Sequence, residues 1–385
     1  MAGPVYPWRK DNRFELLIDG TVFFPRIIRE MEQACRTIDV ELYLVSSGES
    51  SDRVIATLIE AVERGVRVRC LLDSLGSHEM DSDDRQRLLD AGVELRFYNP
   101  LRLFHWVGNF HRDHRKLLLV DEQLAFVGGT GFTDEFCQPV EGGFCPWHEQ
   151  MLAVQGPVVS DWLDLFERQW KASGSGWRRK PTGTGKASIP RTPETGDGWA
   201  RVTYADASSQ QEVLQSLFAT VARAERRVWL ATPYFLPAWR VRRSLMRAAR
   251  RGVDVRLLLS GPKHDHPSIR YAGQRFYARL LRSGVRIYEF QPRFLHLKTV
   301  LVDDWVSLGS CNFDNWSLHW NLEANQNAID SALAQAVQQS FEVDFQDSFE
   351  WTRAAWKSLS LWHRLKIRVW SSLNRLVSIW FSIRR

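Results

Sequence analysis

Two short motifs in this chain share the pattern HxKx4D, in which a histidine, a lysine and an aspartate recur at the same spacing. The residues are His114, Lys116 and Asp121 in the first motif, and His296, Lys298 and Asp303 in the second. Composition alone predicts about 0.15 matches per chain, even when Arg is counted as Lys and Glu as Asp. One match is weak evidence for a site, whereas two matches at corresponding places in a duplicated chain are strong evidence.

The residue types in these motifs suit phosphoryl transfer. Four apolar residues between the lysine and the aspartate predict a buried strand, and residues i and i+2 of a strand point to the same face. Each motif therefore presents an imidazole beside an ammonium group. If the motifs meet, one imidazole can attack phosphorus, the other can protonate the leaving oxygen, and the lysines can neutralise the phosphoryl oxygens. Such a site needs no metal, and we expect no cofactor.

A glycine-containing turn follows each motif, at residues 128–131 in the first half and 309–312 in the second. Turns of this kind let backbone N–H groups and short polar side chains approach anionic oxygens. The second turn contains Ser310 and Asn312. One residue fewer precedes it than precedes the first turn, which predicts a tighter loop ahead of Ser310.

The sequence pattern is that of a duplicated α/β unit. In each half a strand, a helix and a second strand follow one another, at residues 37–44, 52–64 and 65–73 in the first half and 227–231, 241–251 and 252–260 in the second. This alternation predicts two homologous α/β domains with mixed sheets flanked by helices. The expected parts are an N-terminal domain at 1–171, a flexible linker at 172–198, a C-terminal domain at 199–350 and a basic tail at 351–385.

Charge and composition limit the partners and the cellular location that we expect for the chain. The tail holds eight of the 51 basic residues and no Asp or Glu, so the other 43 basic residues are set against 45 acidic ones. This slightly acidic body argues against a nucleic-acid partner. Five irregularly spaced cysteines predict reduced thiols. Because no stretch approaches the ~18 apolar residues of a spanning helix, and no signal peptide is evident, we expect a chain that stays in the cytosol.

The tail contains an amphipathic pattern. Its apolar residues recur at steps of three and four: Trp362, Leu365, Val369, Leu373, Leu376, Trp380 and Ile383. Basic residues occupy much of the remainder. A basic, Trp-rich amphipathic helix is typical of a segment lying on an anionic membrane. A helix packed into the core, or one that binds a protein partner, would show the same periodicity.

The paired motifs and their glycine turns resemble those of the phospholipase D superfamily. Further segments resemble its cardiolipin synthases, the short type B group in particular: Thr232 to Pro237, Asn109 to Lys116, Trp147 to Glu149 and the opening from Trp8. The resemblance spans about residues 8–347. It implies two domains related by a pseudo-twofold axis, and a covalent phosphohistidine intermediate in the active site.

The resemblance also implies roles for individual residues. His114 would be the nucleophile and His296 the general acid, while Lys116, Lys298 and Asn312 would hold the phosphate. The motif residues Asp121 and Asp303 would hold the motifs together rather than take part in the chemistry. The family's second asparagine is replaced by Gly131, so the first half is expected to bind phosphate less well.

Each histidine is also expected to have an acidic partner that fixes its tautomer. Glu323 lies 27 residues after His296, and Glu149 lies 35 residues after His114, the extra length coming from an insertion around residues 137–143. The segment at residues 264–266, His-Asp-His, follows a strand end, where ligands often sit. It is either a head-group contact or an exposed polar loop.

The implied activity is transfer of a phosphatidyl group between phospholipids. Phosphatidylglycerol as donor and acceptor would give cardiolipin and glycerol, and phosphatidylethanolamine is an alternative donor. The expected location is the cytoplasmic side of the cell membrane, peripherally bound to its anionic surface. A hydrolytic phospholipase D, a nuclease of the same superfamily and a non-enzymatic membrane scaffold remain as alternatives.

Overall fold

The computed structural model describes residues 5–102, 108–137, 146–174, 197–206, 210–314 and 320–383. Most of the predicted linker, residues 175–196, and residues 138–143 of the predicted insertion lie outside these ranges.

The first half contains four helices and eight strands among its described residues. The helices are α1 (Gly20–Gln33), α2 (Glu49–Glu63), α3 (Ser82–Asp90) and α4 (Val159–Gly174). The strands are β1 (Arg13–Ile18), β2 (Thr37–Leu42), β3 (Arg67–Asp73), β4 (Glu94–Tyr98), β5 (Arg112–Asp113), β6 (Lys116–Val120), β7 (Leu124–Gly128) and β8 (Gln150–Gln155). Short 3-10 helices lie at Gly108–Phe110 and Asp134–Phe136.

The second half follows a similar order with additional elements. Its described helices are α5 (Glu212–Arg223), α6 (Trp239–Arg250), α7 (Pro267–Gln274), α8 (Tyr277–Arg282), α9 (Ser331–Gln346), α10 (Arg353–Lys357) and α11 (Leu361–Ile383). Its strands are β9 (Trp199–Asp206), β10 (Gln210–Gln211), β11 (Arg227–Thr232), β12 (Asp254–Ser260), β13 (Arg286–Phe290), β14 (Thr299–Val302), β15 (Trp305–Gly309), β16 (Asn321–Ile329) and β17 (Ser348–Trp351).

The strands form two mixed sheets. The first has the order β1-β8-β7-β6-β2-β3-β4, and the second has the order β10-β9-β16-β15-β14-β11-β12-β13-β17. In each sheet three neighbouring strands are parallel, β2-β3-β4 and β11-β12-β13, and the motif hairpin joins them antiparallel. Helices connect the parallel strands, since such strands need a long crossover. The predicted α/β architecture is confirmed.

One hydrophobic core joins the two sheets. Leu117 and Leu119 of β6 and Leu301 of β14 belong to the same buried cluster, together with residues of α4 and α9. Separate buried clusters lie under the outer helices of each half. Because alternate residues of a strand point to opposite faces, each motif strand contributes to the shared core and to an outer core at once. The motif strands are therefore held on both faces.

The two motif hairpins differ only in their turns. Val120 pairs with Leu124 in the first hairpin, whereas Val302 pairs with Trp305 in the second. The turn between β14 and β15 is thus one residue shorter, and the pairing beyond it is regular. The tighter loop predicted from the sequence is present, but it does not displace Ser310, because the hairpin turn absorbs the difference.

Candidate active site

The two motifs meet at a cleft of about 620 Å³. His114, Lys116, His296 and Asn312 line it. Lys298 lies directly behind His296 and is almost fully buried. The two imidazoles and Lys116 therefore face one space, and Lys298 lies behind one of the imidazoles.

The backbone next to His114 explains which carboxylate the imidazole contacts. Strand β5, immediately before the motif, pairs in parallel with the start of β16, and the His114 N–H donates to the carbonyl oxygen of Leu322 at 3.0 Å. This pairing places Glu323, the next residue of β16, against the imidazole. The Nδ1 atom of His114 lies 3.0 Å from the Glu323 carboxylate.

The second motif repeats this arrangement with the halves exchanged. Leu295 forms a parallel bridge with His148, and the His296 N–H donates to the carbonyl oxygen of His148 at 2.8 Å. Glu149 follows His148, and its carboxylate lies 2.7 Å from Nδ1 of His296. Glu149 and Glu323 are thus the acidic neighbours of the histidines, but each serves the histidine of the other half. Their positions relative to His114 and His296 along the chain gave no sign of this exchange.

The electrostatics favour neutral imidazoles before an anionic substrate binds. Burial lowers the pKa of His114 and of His296 well below the usual value, and Lys116 and Lys298 lower both further. Where the neighbouring glutamate is ionised, it accepts a hydrogen bond from Nδ1, and the proton of a neutral ring then stays on that atom. The Nε2 lone pair of each ring is then available to attack or to accept a proton.

The two lysines are held by their own motifs. The Lys116 ammonium donates to the carbonyl oxygen of His114 at 2.6 Å, and the Lys298 ammonium donates to the carbonyl oxygen of His296. Burial, reinforced by Lys298, lowers the pKa of Lys116 to about 7. Burial likewise raises the pKa of Glu323 to about 8. An anionic phosphate entering the cleft would favour the charged form of Lys116, and the charged Lys116 would in turn favour the ionised form of Glu323, because opposite charges favour each other's ionised forms.

The two glycine turns make different contacts with the neighbouring glutamate carboxylates. In the second half the Ser310 hydroxyl donates to Glu323. The corresponding residue of the first half is Gly129, where a Cβ atom would lie 2.1 Å from an oxygen of Glu149. A side chain at Gly129 would therefore displace the Glu149 carboxylate from its present position, whereas serine supplies a donor on the other side.

The asparagine to which the family resemblance assigns the phosphate is present in one half only, as Asn312. The side-chain oxygen of Asn312 is buried and has no hydrogen-bond partner among the described residues, so it is free to accept a hydrogen bond from a ligand. A phosphoryl oxygen would be bound by the Nδ2 group of the same amide, which donates. At the equivalent Gly131, a Cβ atom would lie 2.4 Å from the carbonyl oxygen of Leu44. The departure from the family pattern thus has a local steric cause.

The motif aspartates lie at the far end of the motif strands from the histidines. Asp121 accepts hydrogen bonds from the backbone N–H groups of Cys35, Arg36 and Thr37, at 2.9, 2.7 and 3.0 Å. Although burial opposes the effect, these donors lower the pKa of Asp121. Asp303 accepts from the N–H groups of residues 225–227 in the same way. Both carboxylates anchor the start of a neighbouring strand.

Several residues around the cleft lie outside the two HxKx4D motifs. The Tyr43 ring packs edge-on against His114, with 4.9 Å between ring centres, and Trp147 packs against His296 at 5.1 Å. Tyr234 donates its hydroxyl proton to Asp265, and both residues line the cleft. The polar segment at residues 264–266 therefore contributes to the cleft wall. Tyr43 follows a buried strand, a position too common to single out from the sequence.

His148, which the sequence marks only as a neighbour of Glu149, links the two halves. Its Nδ1 lies 2.7 Å from a carboxylate oxygen of Asp19 and its Nε2 lies 3.0 Å from one of Asp344. Burial opposes the charged form, but the hydrogen bonds and charges of the two aspartates outweigh it and raise the pKa of His148 to about 9. This residue is an imidazolium that holds the backbone beside His296.

Helix α11 lies beside the cleft. It packs against α7, with Nε2 of His363 2.8 Å from the Gln274 side chain and with Ile367 buried. Asn374 lines the cleft. The outward apolar side chains are exposed to nearly half or more of their surface: Leu361 86%, Trp362 66%, Leu365 46%, Val369 46% and Leu373 45%.

The predicted apolar stripe of the tail therefore faces away from the body as far as its side chains are described. The side chains of Leu376, Trp380 and Ile383 lie outside the described part. Within the described residues, no helix combines the length and the apolar character needed to cross a bilayer.

Comparison with known proteins identifies the family. The sequence profile described as "Cardiolipin synthase, PLD-like domain" matches residues 27–170 and 217–345. The chain belongs to this family. It is 33% identical to cardiolipin synthase B of Salmonella typhi, over 81% of this chain and 75% of that protein. It is also 33% identical to cardiolipin synthase B of Escherichia coli strain K12, with the same coverage.

A solved structure agrees on the fold. Phosphatidylserine synthase of Haemophilus influenzae Rd KW20 superimposes with a TM-score of 0.71, over 97% of this chain and 95% of that one, at 13% identity. These findings confirm the resemblance to the phospholipase D superfamily. The chain is an enzyme of that superfamily, of the phosphatidyltransferase type.

Proposed function

We propose that this enzyme transfers a phosphatidyl group from one phospholipid to another through a phosphohistidine, with phosphatidylglycerol as donor and acceptor and cardiolipin and glycerol as products. The observation that carries this proposal is a pair of contacts in which each motif histidine meets the glutamate of the other half. These contacts orient two neutral imidazoles at one cleft, beside two lysines and Asn312.

The first step forms a bond between Nε2 of His114 and phosphorus. The bond from phosphorus to the head-group oxygen breaks, and His296 donates its Nε2 proton to that oxygen. Burial, and then Lys298 and Lys116, lower the pKa of the His296 imidazole. The charge of a bound anionic phosphodiester opposes these effects, so His296 gains this proton when the substrate binds. Glu323 stabilises the charge that develops on His114.

The second step reverses these roles. Neutral His296 removes the proton of an acceptor hydroxyl, whose oxygen attacks phosphorus, and the bond to His114 breaks. Lys116 and Asn312 hold the phosphoryl oxygens throughout. Apolar residues in the cleft wall, among them Leu44, Leu236 and Ile269, disfavour water as the acceptor. Asp265 accepts hydrogen bonds and suits a hydroxylated head group.

We also propose that the enzyme acts while peripherally bound to an anionic membrane, on its cytoplasmic side, with the exposed stripe of α11 in the lipid interface. Support comes from the outward position of Trp362, Leu365 and Val369, and from the basic residues between them. Because α11 also contributes Asn374 to the cleft, contact of this helix with lipid would bring the cleft to its substrate.

The test uses purified full-length protein, phosphatidylglycerol vesicles and EDTA, with lipid products and intact protein analysed by mass spectrometry. We expect cardiolipin from the wild type and none from His114→Ala or His296→Ala. A phosphatidyl adduct on the peptide that contains His114 would support the intermediate. Phosphatidic acid as the main product would indicate a hydrolase instead. Absence of any lipid product, also with phosphatidylethanolamine present, would overturn the proposal.

A further inference from the structure

The second half carries a cluster of arginines that the proposed reaction does not use. In α6 the exposed Arg240, Arg243, Arg247 and Arg250 follow one another at helical spacing, so they share one side of the helix. Trp239 is half exposed, and the guanidinium of Arg243 lies 4.7 Å from its ring centre. We call these five residues the arginine face.

No acidic side chain neutralises the arginine face within the described part of the chain. Helix α6 contains five arginines and no Asp or Glu. No described acidic residue forms an ion pair with Arg240, Arg243 or Arg247. Two shallow grooves, of about 450 and 240 Å³, flank the helix, and arginines line both. Anionic groups therefore have room to approach the guanidinium groups from either side.

The duplicated fold supplies an internal comparison. Helix α2 occupies the position in the first half that α6 occupies in the second, between two parallel strands. It contains Glu49, Asp52, Glu60 and Glu63 against a single Arg53. The two helices thus differ by eight charges, from −3 to +5. The fold itself does not require a basic helix here, so the charge serves another purpose.

The arginine face continues towards α11. The Phe276 ring lies between two guanidinium groups, with that of Arg242 at 4.0 Å and that of Arg275 at 4.4 Å from its centre. Arg275 donates to the carbonyl oxygen of Ser371 in α11, at 3.3 Å. Burial, and then the charge of Arg375, lowers the pKa of Arg275. Positive groups therefore connect α6 to the helix that carries the exposed apolar stripe.

The arginine face also lies near the cleft. Leu236 lines the cleft, and Trp239 follows it by three residues, which span at most about 11 Å. Asn374 of α11 lines the same cleft. An exposed indole among arginines and an exposed apolar stripe thus both lie a short distance along the chain from residues that line the cleft.

We propose that the arginine face binds the head groups of an anionic bilayer and, together with α11, orients the cleft towards the membrane. This inference rests on the proposed function in so far as the substrate lies in that bilayer. Arginine and tryptophan suit the interface, where phosphates meet the ends of the acyl chains. A nucleic acid would also attract the arginines, but the continuity with an apolar stripe favours lipid.

The test compares two triple variants of the full chain that remove the same charge. One is Arg240→Gln/Arg243→Gln/Arg247→Gln. The matched control is Arg29→Gln/Arg53→Gln/Arg67→Gln, three exposed arginines of the first half. Sedimentation measures binding to vesicles of phosphatidylcholine that contain increasing fractions of phosphatidylglycerol. Phosphatidyl transfer is measured on these vesicles and on a short-chain phosphatidylglycerol below its micellar concentration.

We expect the first variant to bind anionic vesicles roughly 100-fold more weakly, since each of the three arginines contributes about fivefold to the affinity. It should lose activity on vesicles but keep its activity on the short-chain lipid. The control should change little. Equal vesicle binding by both variants would overturn the inference, as would a loss of duplex oligonucleotide binding with unchanged vesicle binding. If the wild type binds vesicles but transfers no phosphatidyl group on either lipid, only the proposed function is overturned. The inference about the arginine face is tested by vesicle binding and does not depend on transfer.

Discussion

At the scale of single residues, the surroundings of each turn decide which side chain is possible. Gly131 stands where the family pattern has an asparagine, and a Cβ atom added there would lie 2.4 Å from the carbonyl oxygen of Leu44. The same carbonyl accepts a hydrogen bond from the Phe132 N–H at 3.0 Å. A side chain at this position must therefore push apart a backbone pair.

We predict that Gly131→Asn destabilises the enzyme by roughly 1–3 kcal/mol, the usual effect of overpacking, and does not raise its activity. Thermal unfolding and phosphatidyl transfer measure the two effects. Asn312→Ala is the matched comparison, because the buried amide oxygen of Asn312 has no described partner to lose. That variant should keep its stability and lose activity. A stable and more active Gly131→Asn variant would contradict the steric argument.

The sequence predicts the identities of the site residues better than their contacts. HxKx4D repeats are local, so His114 and His296 can be found by spacing alone. The exchange of Glu149 and Glu323 depends on how β5 pairs with β16, which brings together His114 and Glu323, 209 positions apart. Long-range pairing of this kind leaves no periodic signal in a single sequence.

At the scale of elements, the nearly balanced charge of the body contains a local concentration of positive charge on α6. The body has nearly balanced charge, yet α6 holds five arginines and no acid whereas α2 holds four acids. Helical periodicity did identify the stripe on α11. It did not decide between a core helix and an exposed one, because that depends on what α7 presents to it.

We predict that Leu365→Glu/Val369→Glu weakens binding to anionic vesicles at least about tenfold, because two exposed apolar side chains leave the lipid interface and two negative charges enter it. Vesicle sedimentation measures the effect. Val22→Glu/Leu89→Glu is the control, since these side chains are exposed to a similar degree on the first half. If both variants bind equally well, α11 is not the lipid contact.

At the scale of the whole molecule, His148 fastens the halves to each other. Asp19 belongs to the first half and Asp344 lies on α9 of the second, and His148 bonds to both. Arg293 adds a further ion pair to Asp19. The backbone of His148 also holds His296, so the same residue ties the assembly of the halves to the geometry of the cleft.

This link gives stability a pH dependence of known sign. The pKa of His148 is about 9 in the folded enzyme, against about 6.5 in an unfolded chain. Its contribution, roughly 3 kcal/mol, is therefore complete below about pH 6.5 and is lost as the pH rises through about 9. We predict that His148→Gln lowers the free energy of unfolding at about pH 6 and matters little at about pH 9.5.

Urea unfolding of the wild type and of His148→Gln at the two pH values measures the difference in their free energies of unfolding. The titration of every other group cancels from this difference to first order. His78→Gln, at an exposed imidazole, should show no such change between the pH values. A difference that stays constant or grows towards the higher pH would mean that His148 is neutral in the fold. The link between the halves would then not depend on the charge of this imidazole.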